Sequence, residues 1–474
     1  MAKQVSPGVL ALRKVVDDVH KEAREAKARG ELVGWSSSKF PCELAAAFDL
    51  HVMYPENQAA GIAANRYGEL MCQAAEDLGY DNDICGYARI SLAYAAGVRV
   101  ARKFDPETGE YIIDPSTGKP LKDADGNVVM GEDGKPKKDP KTQTPYLQLD
   151  NLLEIEKLPD GPEKEKRLEA ISPIRQMRIP QPDFVLCCNN ICNCMIKWYE
   201  NLAKELNIPM FMIDIPFNPD YEVSDAETEY IKAQFWDVIH GLEAYTGKKW
   251  SDERFKEVMA SSGRASRAWI EATSQAKYVP SPFNGFDLLN HMAVMVTARG
   301  KEEDAMETLL KEYKENHEKG TSTFRAEEKY RIMFEGIACW PWLRVTSTGL
   351  KGRGINMVTT IYADAFGFIY DDFDGMCRAY ANVPNAMNLE HSRDKRIKLC
   401  KDNHVEGLLV HTNRSCKLWS GFMPEMSRQI GEACGIPVVS FDGDQADPRN
   451  FSEAQYDTRV QGLTEIMEAN KGGK

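Results

Sequence analysis

Four cysteines fall within eight residues of the stretch DFVLCCNNICNCMIKWYE (183–200), and they are well suited to metal binding: Cys187, Cys188, Cys192 and Cys194. The stretch opens with an apolar run typical of a strand and continues into a segment typical of a helix. A thiolate at such a junction is stabilised by the positive end of the helix dipole. The spacing is not that of two C-x₂-C pairs, so it does not predict a zinc ribbon. Distant residues must therefore complete any site.

Two more cysteines occupy the same kind of position, a loop that enters a helix. Cys85 precedes the helix-like segment GYARISLAYAAG, for which Asp83 is a candidate cap, and Cys416 follows the apolar strand predicted at 405–413. Together with Cys192, these residues offer three thiolates, which leave one position of a tetrahedral or cubane site open. A site with an open position does chemistry, and thiolates favour zinc or an iron–sulfur cluster over magnesium or calcium.

A simpler interpretation applies to each cysteine, because buried cysteines commonly serve as small hydrophobic residues. We expect this of five of them: Cys42, Cys72, Cys377, Cys400 and Cys434. Four others compete for the ligand role: Cys187, Cys188, Cys194 and Cys339. His411 is expected to be an ordinary buried histidine, whereas Arg414 and Lys417 could either steer an anionic ligand or simply be solvated.

Composition limits the functions open to the chain. Its 474 residues carry a net charge of −13, which argues against a nucleic acid or an anionic membrane surface as the main partner. No apolar run of 18 residues occurs, so no membrane span is predicted, and the N-terminus lacks the features of a signal peptide. Twelve cysteines without an export signal indicate reduced thiols. The prediction is a cytoplasmic protein.

The elements that must position the cysteines alternate between strand and helix. We predict an α/β protein with two doubly wound parallel-sheet lobes of Rossmann or flavodoxin type, a helical segment and a β-hairpin insertion. The expected divisions are an N-terminal α/β domain (1–220) with hairpins at 104–170, a helical segment (221–325) and a C-terminal α/β domain (326–474). Neither G-x-x-x-x-G-K-[ST] nor G-x-G-x-x-G occurs, so an ATPase or a standard dinucleotide fold is not expected.

Several longer segments resemble the 2-hydroxyacyl-CoA dehydratase and benzoyl-CoA reductase family: SSSKFPCELAAAFDLHVMYPENQAAG, CGYAR, ICNCMIKWYE, NRSCKLWSG and FDGDQADPRNF. The similarity covers essentially the whole chain. It implies a 4Fe–4S cluster held by Cys85, Cys192 and Cys416, with the fourth iron position open to water or to the substrate's thioester carbonyl. Cys188 and Cys194 remain alternatives to Cys192.

The resemblance also implies two catalytic residues, Ser38 near the leaving hydroxyl and Glu56 close to the substrate, with Ser36 and Ser37 as alternatives to Ser38. Without the resemblance, Glu56 would be a helix-start carboxylate and Ser38 a turn hydroxyl. The implied reaction removes water from a 2-hydroxyacyl thioester. Acid–base catalysis contributes only about 10²–10⁴-fold, too little for an unactivated β proton. One added electron gives a ketyl radical that expels the hydroxyl. The resulting enoxy radical has a much more acidic β proton, and after that proton is removed the electron is returned.

The partners are likewise implied by the resemblance. They are a homologous β subunit in a heterodimer, an ATP-dependent iron–sulfur activator protein and a 2-hydroxyacyl-CoA substrate, most similar to (R)-2-hydroxyglutaryl-CoA, whose product is glutaconyl-CoA. A flavin (FMN or riboflavin) would belong to the partner subunit. Two alternatives stay open: a related CoA-thioester reductase that keeps the electron, and a non-catalytic zinc-binding scaffold subunit.

Overall fold

The computed structural model describes residues 5–123, 126–217, 222–298 and 300–472. Within these ranges the strands are β1 (Val33–Ser36), β2 (His51–Met53), β3 (Val98–Arg102), β4 (Leu147–Asn151), β5 (Phe184–Cys188), β6 (Met210–Ile213), β7 (Tyr330–Glu335), β8 (Ile355–Thr359), β9 (Gly407–Asn413) and β10 (Val438–Gly443).

The α-helices in the same ranges are α1 (Pro7–Ala28), α2 (Glu43–Ala47), α3 (Pro55–Ala64), α4 (Gly68–Asp77), α5 (Gly86–Ala95), α6 (Leu152–Lys157), α7 (Pro162–Ala170), α8 (Asn193–Leu206), α9 (Asp225–Thr246), α10 (Asp252–Ser274), α11 (Gly285–Thr297), α12 (Glu303–Glu318), α13 (Leu343–Lys351), α14 (Ile361–Asp364), α15 (Phe373–Ala381), α16 (Leu389–Asp402), α17 (Lys417–Cys434) and α18 (Glu453–Gly472). Short 3₁₀ turns lie at Pro140–Thr142, Arg175–Arg178, Gln275–Lys277, Trp340–Trp342 and Pro448–Asn450.

The N-terminal lobe is built on a four-stranded parallel sheet in the order β2-β1-β5-β6. Every residue of β1 and β5 is buried, as expected for parallel strands covered on both faces. The segments that follow β1, β2 and β5 leave the sheet at its carboxyl edge. They carry Ser38, Glu56 and Cys192 respectively, so one edge of one sheet presents three predicted site residues.

The C-terminal lobe is a second four-stranded parallel sheet, in the order β10-β9-β7-β8. Its central strand β9 leads at its carboxyl end into the loop that carries Cys416, and α17 follows. Two parallel sheets flanked by helices confirm the predicted α/β class with two parallel-sheet lobes. The exact domain boundaries stay a prediction.

The helical segment and the insertion account for most of the remaining chain. Helices α9 to α12 occupy the predicted helical stretch, where α10 packs on α12. Antiparallel bridges such as Phe104–Tyr111 and Met130–Pro136 run through the predicted hairpins up to β4, which pairs with β3. The hairpin prediction extends too far, however, because residues 152–170 form α6 and α7. The Asn151 side chain caps α6, and Pro162 begins α7.

A buried carboxylate joins the lobes behind the loop that follows β1. Glu43, at the start of α2, accepts hydrogen bonds from the hydroxyls of Tyr370 (2.6 Å) and Tyr380 (2.7 Å) and from Ser262 (2.9 Å). These partners come from the C-terminal part of the chain and from α10, so the loop that carries Ser38 is anchored to both. Among the helices that the structure describes, none is long and apolar enough to cross a membrane.

Candidate active site

Three cysteines occupy equivalent backbone positions in the structure. Cys85, Cys192 and Cys416 are the residues immediately before α5, α8 and α17, and none of their side chains caps its own helix. Each thiol lies at a helix end that favours negative charge. The prediction that these cysteines share one kind of position is confirmed.

The prediction that Asp83 caps α5 is wrong. Asp83 pairs with Lys417 across the surface (3.1 Å), and Cys85 holds the cap position.

A single cavity of about 90 Å³ brings the predicted site residues together. Cys85, Cys192 and Cys416 line it, and so do Ser38 and Glu56. Their sequence positions span most of the chain, so the two lobes must face each other to form this cavity. The remaining lining is mostly apolar and aromatic and includes Tyr87, Ile191, Met195, Trp198, Ile337, Tyr362, Phe366, Val383, Leu418 and Trp419.

The structure reduces the number of competing cysteines. Cys194 also lines the cavity, whereas Cys187 and Cys188 are fully buried within β5, and Cys339 is buried outside the cavity lining. Cys194 remains a competitor because the Cys85 thiol hydrogen bonds to it. The cavity therefore has four cysteines, one more than the resemblance implies.

Hydrogen bonds across the lobes fix the surroundings of these thiols. The backbone N–H of Gly86 donates to Ser415 Oγ (2.9 Å), and Ser415 N donates to Asp444 Oδ2 (3.1 Å). Gln445 Nε2 donates to Cys85 Sγ at 3.2 Å. The loop before α5 and the loop before α17 are thus connected through the turn that follows β10.

Three of the four cysteine thiols that line the cavity are weaker acids than an exposed cysteine thiol. Burial raises the pKa of Cys192 to about 12 and that of Cys416 to about 11, and the hydrogen bond with Cys194 together with burial raises the pKa of Cys85. The same hydrogen bond lowers the pKa of Cys194 to about 7.

Within the described residues, no three His, Cys, Asp or Glu side chains are grouped closely enough to hold a single metal ion. Cysteine thiolates are the usual ligands of iron–sulfur clusters, so the three cysteines fit such a group by type. Their raised pKa values do not oppose this, because a bound cluster displaces the thiol protons.

Glu56 and Ser38 form a directly bonded pair at the cavity wall. Ser38 N donates to Glu56 Oε2 at 2.6 Å and Ser38 Oγ donates to Oε1 at 2.8 Å. Burial raises the pKa of Glu56 to about 7, and the two Ser38 hydrogen bonds and the positive charge of Lys39 oppose the rise. Glu56 therefore changes charge near neutral pH, as a general base requires. It does stand in the first turn of α3, but its carboxylate is bound by the loop after β1.

Lys39 is a cavity residue that the sequence did not indicate. Its ammonium donates to the carbonyl of Ala365 and lies 4.0 Å from the ring centre of Phe366 and 4.8 Å from that of Phe368. Asn190 Nδ2 donates to the Lys39 carbonyl at 3.3 Å. Adjacency to Ser38 was the only available signal, because Ala365, Phe366 and Phe368, which contact the Lys39 ammonium, lie more than 300 residues away in the chain.

The cavity continues toward the surface. A second cavity of about 230 Å³ shares Ser38, Glu56, Tyr87, Tyr362 and Phe366 with the first. Small and apolar residues line much of its length, among them Ala60, Gly61, Ala64, Leu289, Ala293 and Val296. It shares Arg175, Asn290 and Ala293 with a third, open cavity of about 850 Å³. The three cavities therefore lie next to one another in order from the cysteines outward, and we call this series the path.

The outer cavity, which we call the basin, carries positive charge although the chain is acidic. Its lining includes four cations, Arg13, Arg175, Arg325 and Lys351, and two carboxylates, Asp287 and Glu312. By contrast, Arg414 and Lys417 do not line the path and pair with Asp442 and Asp83 at the surface. His411 is fully buried, stacks on Phe441 and does not line the inner cavity, as predicted.

Comparison with known proteins identifies the family of this chain. The family model described as 2-hydroxyglutaryl-CoA dehydratase, D-component, matches residues 166–467. The α subunit of (R)-2-hydroxyglutaryl-CoA dehydratase from Acidaminococcus fermentans is 56% identical over 478 residues, covering 100% of both chains. The chain belongs to the 2-hydroxyglutaryl-CoA dehydratase family. The resemblance drawn from the sequence is thus confirmed, and with it the enzyme class, a 2-hydroxyacyl-CoA dehydratase.

Two further members of this family are similar over nearly the whole chain. The α subunit of (R)-phenyllactyl-CoA dehydratase from Clostridium sporogenes is 46% identical, covering 97% of this chain and 95% of the relative. The α subunit of (R)-2-hydroxyisocaproyl-CoA dehydratase from Clostridioides difficile is 40% identical and covers 97% of each. All three relatives are α subunits, and their names differ in the acyl group.

Proposed function

We propose that this chain is the catalytic subunit of an (R)-2-hydroxyacyl-CoA dehydratase that converts (R)-2-hydroxyglutaryl-CoA to glutaconyl-CoA and water. The observation that carries the proposal is the single cavity shared by three cysteines, each of which immediately precedes a helix, and by the Ser38–Glu56 pair. The 56% identity to a dehydratase α subunit that is named for this substrate supports the choice of acyl group.

In this proposal Cys85, Cys192 and Cys416 hold a 4Fe–4S cluster. Each comes before a different helix, and all three line the same cavity. A bound cluster would supply one-electron chemistry and a Lewis-acidic iron at its open position. Cys194 stays outside the ligand set, and its thiol would donate a hydrogen bond to the ligated Cys85 sulfur, the reverse of the bond that Cys85 donates in the structure.

The chain's own residues then handle the proton and the leaving hydroxyl. Glu56 removes the β proton, because it is the carboxylate on the cavity wall and its pKa of about 7 keeps a substantial fraction ionised at neutral pH. Ser38 fixes the orientation of that carboxylate through two hydrogen bonds, and its hydroxyl can turn toward the substrate hydroxyl. The apolar walls exclude bulk water, which strengthens the electrostatic interactions of Glu56 with the reacting group and limits side reactions.

We also propose that the CoA part of the substrate follows the path to the basin. The inner cavity of about 90 Å³ suits an acyl group alone, so CoA must lie outside it. The second cavity, lined largely by small and apolar residues, suits the pantetheine arm, and the cations of the basin suit the phosphates. We further propose two cytosolic protein partners for this chain. They are a homologous β subunit, which holds any flavin, and an ATP-dependent iron–sulfur activator.

Removing basin cations should weaken substrate binding without changing the chemistry. We expect Arg13→Gln and Arg325→Gln each to raise KM by about 3- to 10-fold with little change in kcat, because an exposed charge–phosphate contact contributes about 1 kcal/mol. The increase should shrink at high ionic strength. Arg428→Gln, on the exposed face of α17, is the matched control and should leave KM unchanged. If KM in Arg13→Gln and Arg325→Gln were no higher than in Arg428→Gln, the assignment of the basin to the CoA phosphates would be wrong.

The function itself is tested by purifying the chain with its β subunit without oxygen and supplying the activator, ATP and a reductant. Brown protein that contains iron and sulfide and forms glutaconyl-CoA with only catalytic use of reductant supports the proposal. Reductant consumed in step with product would favour the reductase alternative. Colourless, zinc-loaded protein prepared in the same way would instead favour the scaffold alternative.

A further inference from the structure

A closed ring of hydrogen bonds joins the loop before α5 to the loop before α17. The backbone N–H of Gly86, the residue after Cys85, donates to Ser415 Oγ at 2.9 Å. The Ser415 hydroxyl, next to Cys416 in the chain, donates to Gln445 Oε1 at 3.3 Å. Gln445 Nε2 then donates to Cys85 Sγ at 3.2 Å and closes the ring. One amide side chain therefore connects a predicted cluster ligand with the loop that carries another.

The position of the Gln445 amide is fixed from several sides. Gln445 and Asp444 are both fully buried. The Asp444 carboxylate accepts hydrogen bonds from Ser415 N (3.1 Å) and from the backbone N–H groups of the two residues after Gln445 (2.8 and 3.0 Å), which holds the turn in place. Because Oε1 of Gln445 accepts the Ser415 proton, the N–H group of the amide must face the Cys85 sulfur.

This amide donor suits a ligated Cys85 better than a free thiol. Buried N–H groups are normally paired with a good acceptor, and the sulfur of a neutral thiol is a weak one. A thiolate is a much better acceptor, since hydrogen bonds to an ionised group are about twice as strong as those between neutral groups. Ligation removes the thiol proton, so the hydrogen bond from Gln445 gains strength when Cys85 becomes a ligand.

A donor at a ligating sulfur also affects how readily a cluster accepts an electron. Reduction adds negative charge to the cluster and its sulfur ligands, and an N–H dipole that points at such a sulfur stabilises the added charge. The effect is large in a buried site, where water does not screen the dipole. Among the described residues that line the inner cavity, Gln445 is not included, so it acts on the site through Cys85 rather than by touching substrate.

We propose that Gln445 is a positioning residue that raises the reduction potential of the cluster through its hydrogen bond to Cys85 Sγ. The inference rests on the proposed function, because it assumes that Cys85 is a cluster ligand. The step concerned is the transfer of one electron from the iron–sulfur activator to the cluster, in which no bond breaks and no proton moves. Gln445 makes the reduced cluster more stable and so favours this transfer.

The test is a redox titration of the complex with the β subunit, loaded anaerobically with excess iron and sulfide. Dithionite sets the solution potential, and electron paramagnetic resonance measures reduced cluster; the signal of this chain is the one that Cys416→Ser lacks. Gln445→Met keeps the side-chain length and removes the donor. At the potential that reduces half of the wild-type cluster, we expect a reduced-to-oxidised ratio of about one-tenth in Gln445→Met. For one electron, this tenfold change is a midpoint about 59 mV lower.

Gln275→Met is the matched control. Gln275 is also buried, and its amide donates to a backbone carbonyl, that of Glu271 (3.2 Å), but it does not line any of the three cavities. It should keep the wild-type midpoint. An unchanged midpoint in Gln445→Met with iron retained would overturn the inference. If Gln445→Met fails to hold iron, Gln445→Leu is judged by the same criterion, and loss of iron from both would show that Gln445 only supports the ligand loops.

Turnover separates this inference from the proposed function. Wild-type complex that dehydrates (R)-2-hydroxyglutaryl-CoA establishes the function whatever the midpoints of the variants. If that complex turns over and Gln445→Met has the wild-type midpoint, the function stands and the role assigned to Gln445 is wrong. Wild-type complex that contains no iron would instead overturn both the ligation and the role of Gln445.

Discussion

Cys416→Ser should yield protein that folds but has lost its iron and its visible absorbance. Serine is nearly the same size as cysteine, but it offers no thiolate, the ligand that an iron–sulfur cluster requires. Losing even an outer contact of a metal site costs about 10- to 100-fold in affinity, and losing a direct ligand should cost at least that. Iron and sulfide analysis after anaerobic purification, with the visible spectrum, measures the effect. Dehydratase activity should fall with the iron content.

The chain offers two controls for this result. Cys434 ends the same helix that Cys416 precedes, so Cys434→Ser makes the same substitution in the same element and should retain iron. Cys194→Ser asks whether the register of the ligand set is correct. Retained iron in Cys194→Ser, with loss in Cys192→Ser, supports the proposed set. The reverse pattern would transfer the ligand role to Cys194.

Glu56→Gln should leave the cluster in place and lower kcat/KM by about 10²–10⁴-fold, the usual contribution of a positioned general base. Glutamine has nearly the same shape and can still accept a hydrogen bond from Ser38, so the cavity should not collapse. Glu69 lies in the first turn of the next helix, α4, and is exposed, so Glu69→Gln is the matched control. A Glu56→Gln enzyme with wild-type activity would remove Glu56 from the mechanism.

The raised pKa of Glu56 also predicts how wild-type enzyme depends on pH. The ionised form acts as the base, so the rate should rise with pH through about 7 and level off above it. The contribution of Glu56 to folding stability has the opposite pH dependence and falls as pH rises. Because the folded pKa is above the unfolded value of 4.5, this group's contribution is complete below about 4.5 and is lost as pH rises to about 7. Glu56→Gln should flatten both dependences, which rate profiles and melting curves can measure.

The sequence was sufficient for those features that depend on neighbours along the chain. Buried parallel strands are continuous apolar runs, so β5, β7, β8 and β9 could be predicted, and a cysteine between a strand and a helix indicated the position of Cys192 and Cys416. The family segments added Ser38, Glu56 and the choice of three cysteines. Local signals were weaker in the insertion, where charged residues at 152–170 hid the two short helices.

Features that depend on distant residues could not be predicted. Asp83 is a good cap by type, yet its carboxylate pairs with Lys417, which lies 334 residues away. Lys39 looked like an ordinary loop lysine until Ala365 and Phe366 were found beside it. The path to the basin depends on how α3 and α11 face each other, and no motif records that packing. Such contacts are fixed only when both lobes are in place.

The hydrogen bond from Gly86 to Ser415 joins residues 329 positions apart, and this separation limits when the metal centre can be assembled. During synthesis the N-terminal lobe, with Cys85 and Cys192, leaves the ribosome long before Cys416 is made. A nascent chain can therefore present at most part of the ligand set. Under the proposed ligation, the full ligand set exists only after Cys416 has been made and the lobes have docked. Metal content would then report completed folding, and truncated chains should emerge colourless.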